Sequence, residues 1–512
     1  MSETLLRGRY VAIGTASADT VSLAENAAVL VRGDAIAEVG AWPELRARHP
    51  DAAVLGSDDH VILPGFVNAH HHVGLTPIQL GVPDDPLELW FVTRMAGRDV
   101  DPYLDTLYSA FEMLRSGVTA VQHIYGWARG DLGEVGRRID RILQAYRDVG
   151  MRVSFALGLR DQNYFTYEPE AELLARLPQG LAERTRALIE ELRLPLADQL
   201  ALYDDLAQRH RGNPLVAIQM APGNLHWCSD AALGAIQSHA EKSGALLHVH
   251  LVETAYQREY ARRRTGTTAL EHLKRFGMIG PHLTLGHGTW LNAADIRLAA
   301  EAGVHICHNC SSNLRLRSGI APWQAFAAHG LNVALGIDEA GINDDRDMLQ
   351  EMRLALHVHR TPGMDAAVPR AADVLAMATA NGARTTPFGS AIGAIAPGKA
   401  ADLVALRWSN IAQPYLDPAL PPLAAILHRA KGESVDLVMV GGRLVVRGGE
   451  IATLDRGAAL EELRRSLAGP LARHEEERRR FAAELLPHVR RHYAGYLDSA
   501  RHDPFYRVNA RL

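Results

Sequence analysis

Residues 61–72 read Val61-Ile62-Leu63-Pro64-Gly65-Phe66-Val67-Asn68-Ala69-His70-His71-His72. An apolar run breaks at Pro64-Gly65 and ends in three histidines. In a strand, side chains alternate between faces, so His70 and His72 share one side and His71 takes the other. That pair is a two-point clamp for a metal ion. A His-x-His alone is more often a surface or structural pair, so the weight falls on what the rest of the chain places beside it.

Outward from this stretch, short apolar runs alternate with longer helical patterns from residue 61 to about 395, as in βα units around a parallel sheet. Eight candidate strands fall at Val61–Val67, Val118–Ile124, Arg152–Leu157, Val216–Met220, Leu246–His250, Leu283–His287, Val304–Cys307 and Val333–Ile337. Eight strands close a barrel, whose active site forms at the strands' carboxyl ends. The helical stretch from Tyr103 to Arg115 stops at Ser116-Gly117, where glycine serves as terminator. Residues 1–60 and 396–452 carry short strands and glycine turns, including a hairpin turn at Arg32-Gly33-Asp34, and are expected to build one composite β domain. Residues 453–512 are rich in Arg, Glu, Leu and Ala, as in Arg473–Phe481 (RHEEERRRF). They are expected to form an exposed helical extension that caps the barrel or joins subunits into a homo-oligomer. The predicted fold class is therefore α/β, a (β/α)8 TIM barrel with a composite β domain and a helical C-terminal extension.

Composition narrows the function. At 512 residues and 47% hydrophobic, the chain can bury a large core. Its 54 Lys and Arg and 59 Asp and Glu give a net charge of −5 and are mixed along the chain, leaving no electrostatic footprint for nucleic acid. A small-molecule substrate is the expected partner. Three cysteines, Cys228, Cys307 and Cys310, cannot build a disulfide framework and suit a reducing, cytoplasmic setting. Cys307-x-x-Cys310 lacks a second cysteine pair and runs from a barrel strand into its loop, so neither a redox motif nor a zinc knuckle is read there. The first residues show no charged-then-apolar leader, and no run approaches about 18 apolar residues; no membrane partner is expected.

The polar residues at the strand ends carry the chemistry. Strand five gives His248-Val249-His250-Leu251-Val252-Glu253, where both histidines share a face, so the spacing leaves open which is a ligand. Strand six ends in Gly286-His287-Gly288, and strand eight in Gly336-Ile337-Asp338-Glu339. Taken singly, each has an ordinary reading: a buried core histidine, or a turn or helix-capping aspartate. Together they point one way, to a metal site.

The chain resembles the amidohydrolase superfamily over about residues 5–450, and within it the cytosine-deaminase-like branch of aminohydrolases and triazine hydrolases. The marks are Pro64-Gly65-Phe66-Val67-Asn68-Ala69-His70-x-His72, Met113-Leu-Arg-Ser-Gly-Val-Thr119, His248-x-His250-Leu-Val-Glu253, Gly286-His287-Gly288, Cys310-Ser-Ser-Asn313-Leu-Arg-Leu-Arg-Ser-Gly-Ile-Ala-Pro322, Gly336-Ile-Asp338, and Gly393-x-Ile-x-Pro-Gly398-Lys-x-Ala-Asp402. The resemblance implies a distorted (β/α)8 barrel and one divalent metal per chain held by His70, His72, His250 and Asp338. It also implies His287 beside the activated water and Glu253 passing a proton to the leaving group. Histidine and carboxylate ligands suit zinc first, with iron, manganese or cobalt also fitting. No lysine lies on strand four to carry a bridging carbamate, which favours a mononuclear site.

The expected activity is hydrolysis of a C–N bond, releasing an amino or substituted-amino group from a nitrogen heterocycle, with Asp338, His287 and Glu253 catalytic. The alternative is an amide, urea, carbamate or carbon–chlorine hydrolase using the same site; a more distant one is a non-catalytic scaffold. Two departures from relatives bear on substrate. Gly223 follows Ala221-Pro222 where adenosine-type deaminases carry a ring-contacting histidine, which argues against a purine nucleoside. The loop after Asp338 holds Glu339 and Asp344, which either reshape the pocket or, the preferred reading, are solvated. Trp90, His123, Trp227 and Asn313 are candidate substrate contacts, with His123 reading equally as a buried structural histidine; Phe91 and Tyr164 could join the two tryptophans in an aromatic slot, although core packing is the ordinary reading of each.

Overall fold

The computed structural model describes residues 3–13, 21–72, 74–126, 131–364 and 367–498, so the end of the expected C-terminal extension and a few loop residues lie outside the described residues. The N-terminal part contributes β1 (Glu3–Ile13), β2 (Ser22–Arg32), β3 (Ala35–Ala41), β4 (Ala53–Gly56) and β5 (His60–Pro64). The hairpin between β2 and β3 turns at Gly33, whose φ of 65° only glycine adopts cheaply. Eight parallel strands follow: β6 (Phe66–His71), β7 (Val118–Tyr125), β8 (Arg152–Leu159), β9 (Val216–Pro222), β10 (Leu247–Leu251), β11 (Leu283–His287), β12 (His305–His308) and β13 (Asn332–Leu335). The chain then returns to the first sheet with β14 (Leu403–Arg407), β15 (Val435–Val440), β16 (Arg443–Arg447) and β17 (Glu450–Ile451). The first sheet runs β17-β16-β15-β14-β5-β1-β2-β3, with β4 paired to β1. The two ends of the chain thus meet where β5 pairs with β1 on one side and β14 on the other.

The run read as one barrel strand, Val61–Val67, is two strands in two sheets. Pro64 closes β5; then the N–H of Gly65 donates to the carbonyl of Asp402 (2.9 Å), and that of Phe66 to Gly117 at the start of the neighbouring β7 (3.0 Å). A Cβ on Gly65 would lie 2.2 Å from Thr119 Oγ1, so glycine is what lets the chain cross between sheets within a single residue. The other seven expected strands are present, with ends shifted by at most two residues.

The barrel closes between its last and first strands through the backbone leading into the histidines. Asp338 N donates to His70 O (2.8 Å) and Ile337 N to the side-chain oxygen of Asn68 (3.0 Å). Its outer wall is packed by amphipathic helices. In Leu132–Val149, Val135, Ile139, Ile142, Leu143, Tyr146 and Val149 recur at helical spacing and are all buried. Asp131 caps this helix by accepting from Glu134 N (2.8 Å), and Gly150 (φ 80°) ends it. A buried ion pair rivets the composite sheet to the barrel: Arg152 of β8 donates from Nε and Nη2 to the two oxygens of Asp402 (2.9 and 2.8 Å). Two-pronged Arg–carboxylate pairing of this kind fixes orientation as well as distance.

The C-terminal helix Arg473–His492 is not the exposed arm that its charge suggests. It buries Phe481, Leu485 and Val489 and lies along the segment that carries Trp90 and Phe91, with Arg479 Nε on Ala96 O (2.9 Å). Among the described residues, no helix is long and apolar enough to cross a membrane.

Candidate active site

Strand ends from opposite sides of the barrel converge on one cluster of nitrogen and oxygen atoms. His70, at the end of β6, and His72 just beyond it point inward, while His71 turns away and places Nδ1 3.2 Å from Asp338 O. The ligand-type atoms of His70, His72 and His250 all lie within 4.8 Å of one another, as do those of His70, His287 and Asp338. Asp338 Oδ1 is 3.2 Å from His72 Nε2 and 3.6 Å from His70 Nε2, and His250 Nε2 is 3.4 Å from His72 Nε2.

Outer hydrogen bonds to backbone carbonyls place the proton on two of the three rings. His72 Nδ1 donates to Ile124 O (2.8 Å) and His250 Nδ1 to Gly223 O (3.0 Å). Carbonyl partners only accept, so each Nδ1 carries a proton; neutral His250 therefore turns its Nε2 lone pair to the cluster, and His72 would offer its own on giving up the Nε2 proton that faces Asp338. His70 Nδ1 is 2.8 Å from His248 Nε2, while its own Nε2 is buried with no hydrogen-bond partner. An unpartnered buried nitrogen aimed at a carboxylate and two further imidazoles is the arrangement a divalent cation completes. Burial, and then the neighbouring imidazoles, hold His70 and His250 well below the usual histidine range, keeping them in the neutral form a metal needs. Burial also disfavours charge on His72, but the Asp338 carboxylate overrides it and pushes that group up to about 9.

Beside this cluster, Asp338, His287 and Glu253 form a second arc. Burial alone would raise Asp338, but the hydrogen bond and charge of His72 outweigh it and hold the carboxylate well below its usual range; Ser312 Oγ donates to its Oδ2 (2.7 Å). His287 Nε2 is 3.5 Å from Glu253 Oε2 and 3.7 Å from Asp338 Oδ2, and its Nδ1 is 2.8 Å from Asn313 Oδ1. Glu253 receives Ser318 Oγ (3.1 Å), and burial pushes its carboxyl up to about 7. Both His287 (φ 70°) and Asp338 (φ 63°) hold left-handed backbone conformations, which cost non-glycine residues about 1 kcal/mol or more and concentrate at functional sites.

Residues 61–445 match the amidohydrolase family, and residues 27–52 match the imidazolonepropionase-like composite domain of bacteria. The chain belongs to the amidohydrolase family. It is a hydrolase of carbon–nitrogen bonds. It is 30% identical to the 5'-deoxyadenosine deaminase of Methanothermobacter thermautotrophicus over 85% of this chain and 92% of that one. It is 29% identical to the 5-methylthioadenosine/S-adenosylhomocysteine deaminase of Pyrococcus furiosus, over 85% and 95%. Among solved structures, a zinc-bound adenosine deaminase of Xanthomonas campestris superposes with a TM-score of 0.77 at 26% identity, covering 94% of this chain and 99% of that one. The zinc-bound atrazine chlorohydrolase of Arthrobacter aurescens superposes at 0.75 with 21% identity, over 90% and 99%, a likeness of fold alone.

In this amidohydrolase the cluster forms the floor of a pocket of about 780 Å³, open mouth included. Trp90, Phe91 and Trp227 line it; Phe91 and Trp227 meet edge to face, with ring centroids 5.0 Å apart. A Cβ on Gly223 would lie 2.6 Å from Trp227 Cε3, so the glycine is where the Trp227 indole enters the wall. Three of the candidate contacts lie elsewhere, and His123 takes the buried structural place that was its equal reading. His123 sits on the outer face of β7, buried, with Nδ1 3.1 Å from Tyr146 OH, because strand alternation turns it away from the inward-facing Ile124. Asn313 stands behind His287 and orients its ring. Tyr164 lies under the Arg160 guanidinium, 4.2 Å from the ring centre.

The amidohydrolase pocket also holds residues the sequence reading missed or misplaced. Glu339, read as solvated, is buried, lines the pocket and has an Oε2 with no partner in the protein. Asp344, read the same way, accepts from Thr76 Oγ1 (2.7 Å) and Arg315 Nη2 (2.9 Å). Those partners are remote in sequence, so composition alone carried no sign of them. Ser312 and Ser318 fall within the quoted stretch after Cys310, one on each side of Asn313.

Proposed function

We propose that the protein is a metal-dependent aminohydrolase that releases ammonia from the exocyclic amine of an adenine nucleoside of the 5'-deoxyadenosine type. The observation that carries this reading is the convergence of His70, His72, His250 and Asp338 with Glu253 and His287 on one pocket floor. Its support comes from relatives named for that substrate class. The glycine at 223, which argued against a purine, is answered by Trp227, whose indole supplies an aromatic face at that place.

His70, His72, His250 and Asp338 would hold one divalent ion, zinc first among those that fit the donor set. Such an ion, when bound, supplies the Lewis acidity that makes water a nucleophile near neutral pH. The chain's own groups do the rest. Asp338, kept ionised, accepts a proton from the attacking water. His287, held by Asn313, steadies negative charge developing on the ring. Glu253, titrating near neutrality, delivers the proton to the departing nitrogen, a step worth roughly 10²–10⁴-fold.

The test is ammonia release by the full-length, metal-loaded protein from 5'-deoxyadenosine and 5'-methylthioadenosine, set against chlorinated and N-alkylated triazines, ureas and amides. Release from the nucleosides, lost in Glu253→Gln with metal content unchanged, supports the reading. Turnover confined to chloride, alkylamine or carboxylate products overturns it in favour of the other leaving groups.

A further inference from the structure

On the outer side of the barrel wall a second group of metal-type side chains converges, away from the pocket. His308 ends β12 with its ring outward, Cys310 opens the short helix Cys310–Arg315, and His359 caps the carboxyl end of the helix Met348–Val358. His308 Nε2 is 2.8 Å from His359 Nε2 and 3.0 Å from Cys310 Sγ, and one ligand atom from each of the three residues lies within 4.8 Å of the others. All three residues are buried.

Hydrogen bonding alone serves this group poorly. A neutral imidazole nitrogen either carries one proton or offers one lone pair, yet His308 Nε2 faces two partners at hydrogen-bond distance. Its Nδ1 is buried with no partner, so no hydrogen bond on that side fixes the ring's tautomer. A cation would take all three donors at once. Two imidazoles and a thiolate make a borderline-soft donor set of the kind zinc-type ions prefer. Charge compensation is at hand as well. Binding expels the thiol proton and leaves a thiolate, and the buried Glu351 carboxylate, which accepts from Ser311 N (3.0 Å) and Ser311 Oγ, lies beside Cys310.

We propose that His308, Cys310 and His359 form a second, structural site for a divalent cation of the zinc type. Its position explains what it would do. The segment following Cys310 carries Ser312, which holds Asp338, and Asn313, which holds His287. A cation joining β12 and this segment to the helix Met348–Val358 would clamp the backbone that aims both groups, without touching substrate. Cys307 takes no part: its side chain packs with Ala69 and Ala334 on the other face of β12.

The two sites are separable because only this one contains sulfur. The full-length protein is to be loaded with Zn²⁺ or Co²⁺ and dialysed, its metal counted by mass spectrometry, and its cobalt spectrum recorded, alongside Cys310→Ser, His359→Gln, Cys307→Ser and His70→Ala/His72→Ala. Two metals per chain are expected, falling to one in Cys310→Ser, in His359→Gln and in the double alanine variant. The cobalt form should show a thiolate-to-metal charge-transfer band that Cys307→Ser keeps and Cys310→Ser loses. A metal count unaffected by Cys310→Ser and His359→Gln, with no thiolate band, overturns the proposal. If a variant does not fold, the band in the unaltered protein decides alone. A single metal lost in Cys310→Ser but kept in the double alanine variant would instead sink the active-site reading and leave this one standing.

Discussion

Nδ1 of His70 lies 2.8 Å from Nε2 of His248, so the two histidines of β10 divide the work: His250 faces His70 and His72 in the candidate metal cluster, and His248 stands behind His70 against its ring. Removing such an outer partner typically costs 10–100-fold in metal affinity or activity. We expect His248→Ala to weaken zinc binding by about that factor in a chelator competition, and His250→Ala, which removes a ring of the cluster itself, to weaken it far more. Equal affinities for His248→Ala and the unaltered protein would mean that His70 needs no support.

Glu339 presents a buried carboxylate oxygen to the pocket with no partner of its own. A carboxylate placed so awaits a donor, and a charge-assisted hydrogen bond contributes about 1.5–3 kcal/mol. Glu339→Gln is therefore expected to raise KM for the preferred substrate about tenfold or more, with the metal content unchanged. Steady-state kinetics with an unaltered KM would show that the substrate never reaches this side chain.

The Arg152–Asp402 pair is buried on both sides, and breaking one partner of such a pair costs about 3–5 kcal/mol because the other charge is stranded. Asp402→Ala should lower stability by roughly that amount in denaturant unfolding. A loss under about 1 kcal/mol would place the grip between barrel and composite sheet elsewhere.

Asp105 accepts from Leu75 N (2.7 Å), and burial pushes its carboxyl up to about 6. In the unfolded chain the same group titrates near 3.9, so between those values the folded protein binds more protons than the unfolded one. Stability from this group is greatest below about pH 4 and is lost as pH rises through about 6. Asp105→Asn keeps the acceptor for Leu75 and removes the titration. It should be more stable than the unaltered protein at pH 7 by about 2–3 kcal/mol, with a flatter pH profile over that window; parallel profiles would show that another group sets the slope.

Much of the fold was legible because it rests on periodicity. Alternation alone separated His71 from His70 and His72, and the apolar runs located seven of the eight barrel strands within two residues. What resisted was whatever depends on partners far away in sequence. Nothing local says that the run through Pro64-Gly65 changes sheets; that follows from Thr119 and Asp402 crowding it on either side. His248 and His250 share one face of a strand, and only the position of His70 distinguishes them. Asn313 carried the right chemistry at the right strand end, but a side chain's reach toward a ring or toward a ligand is not written in its spacing. Glu339 and Asp344 looked alike as acids in one loop, and the fold buries one at the pocket while giving the other an arginine.

The pairing of β5 with β14, Pro64 opposite Leu403, also bears on how the molecule is made. Strands that emerge early in synthesis must wait, with an open hydrogen-bonding edge, for a strand that appears only after the whole barrel has been translated. Long-range pairing of this kind slows folding, and an unpaired edge is a site for association with other chains. The crossing at Gly65 joins that waiting sheet directly to the strand of His70, so the sheet edge beside the candidate site is completed only once the chain has been made as far as β14.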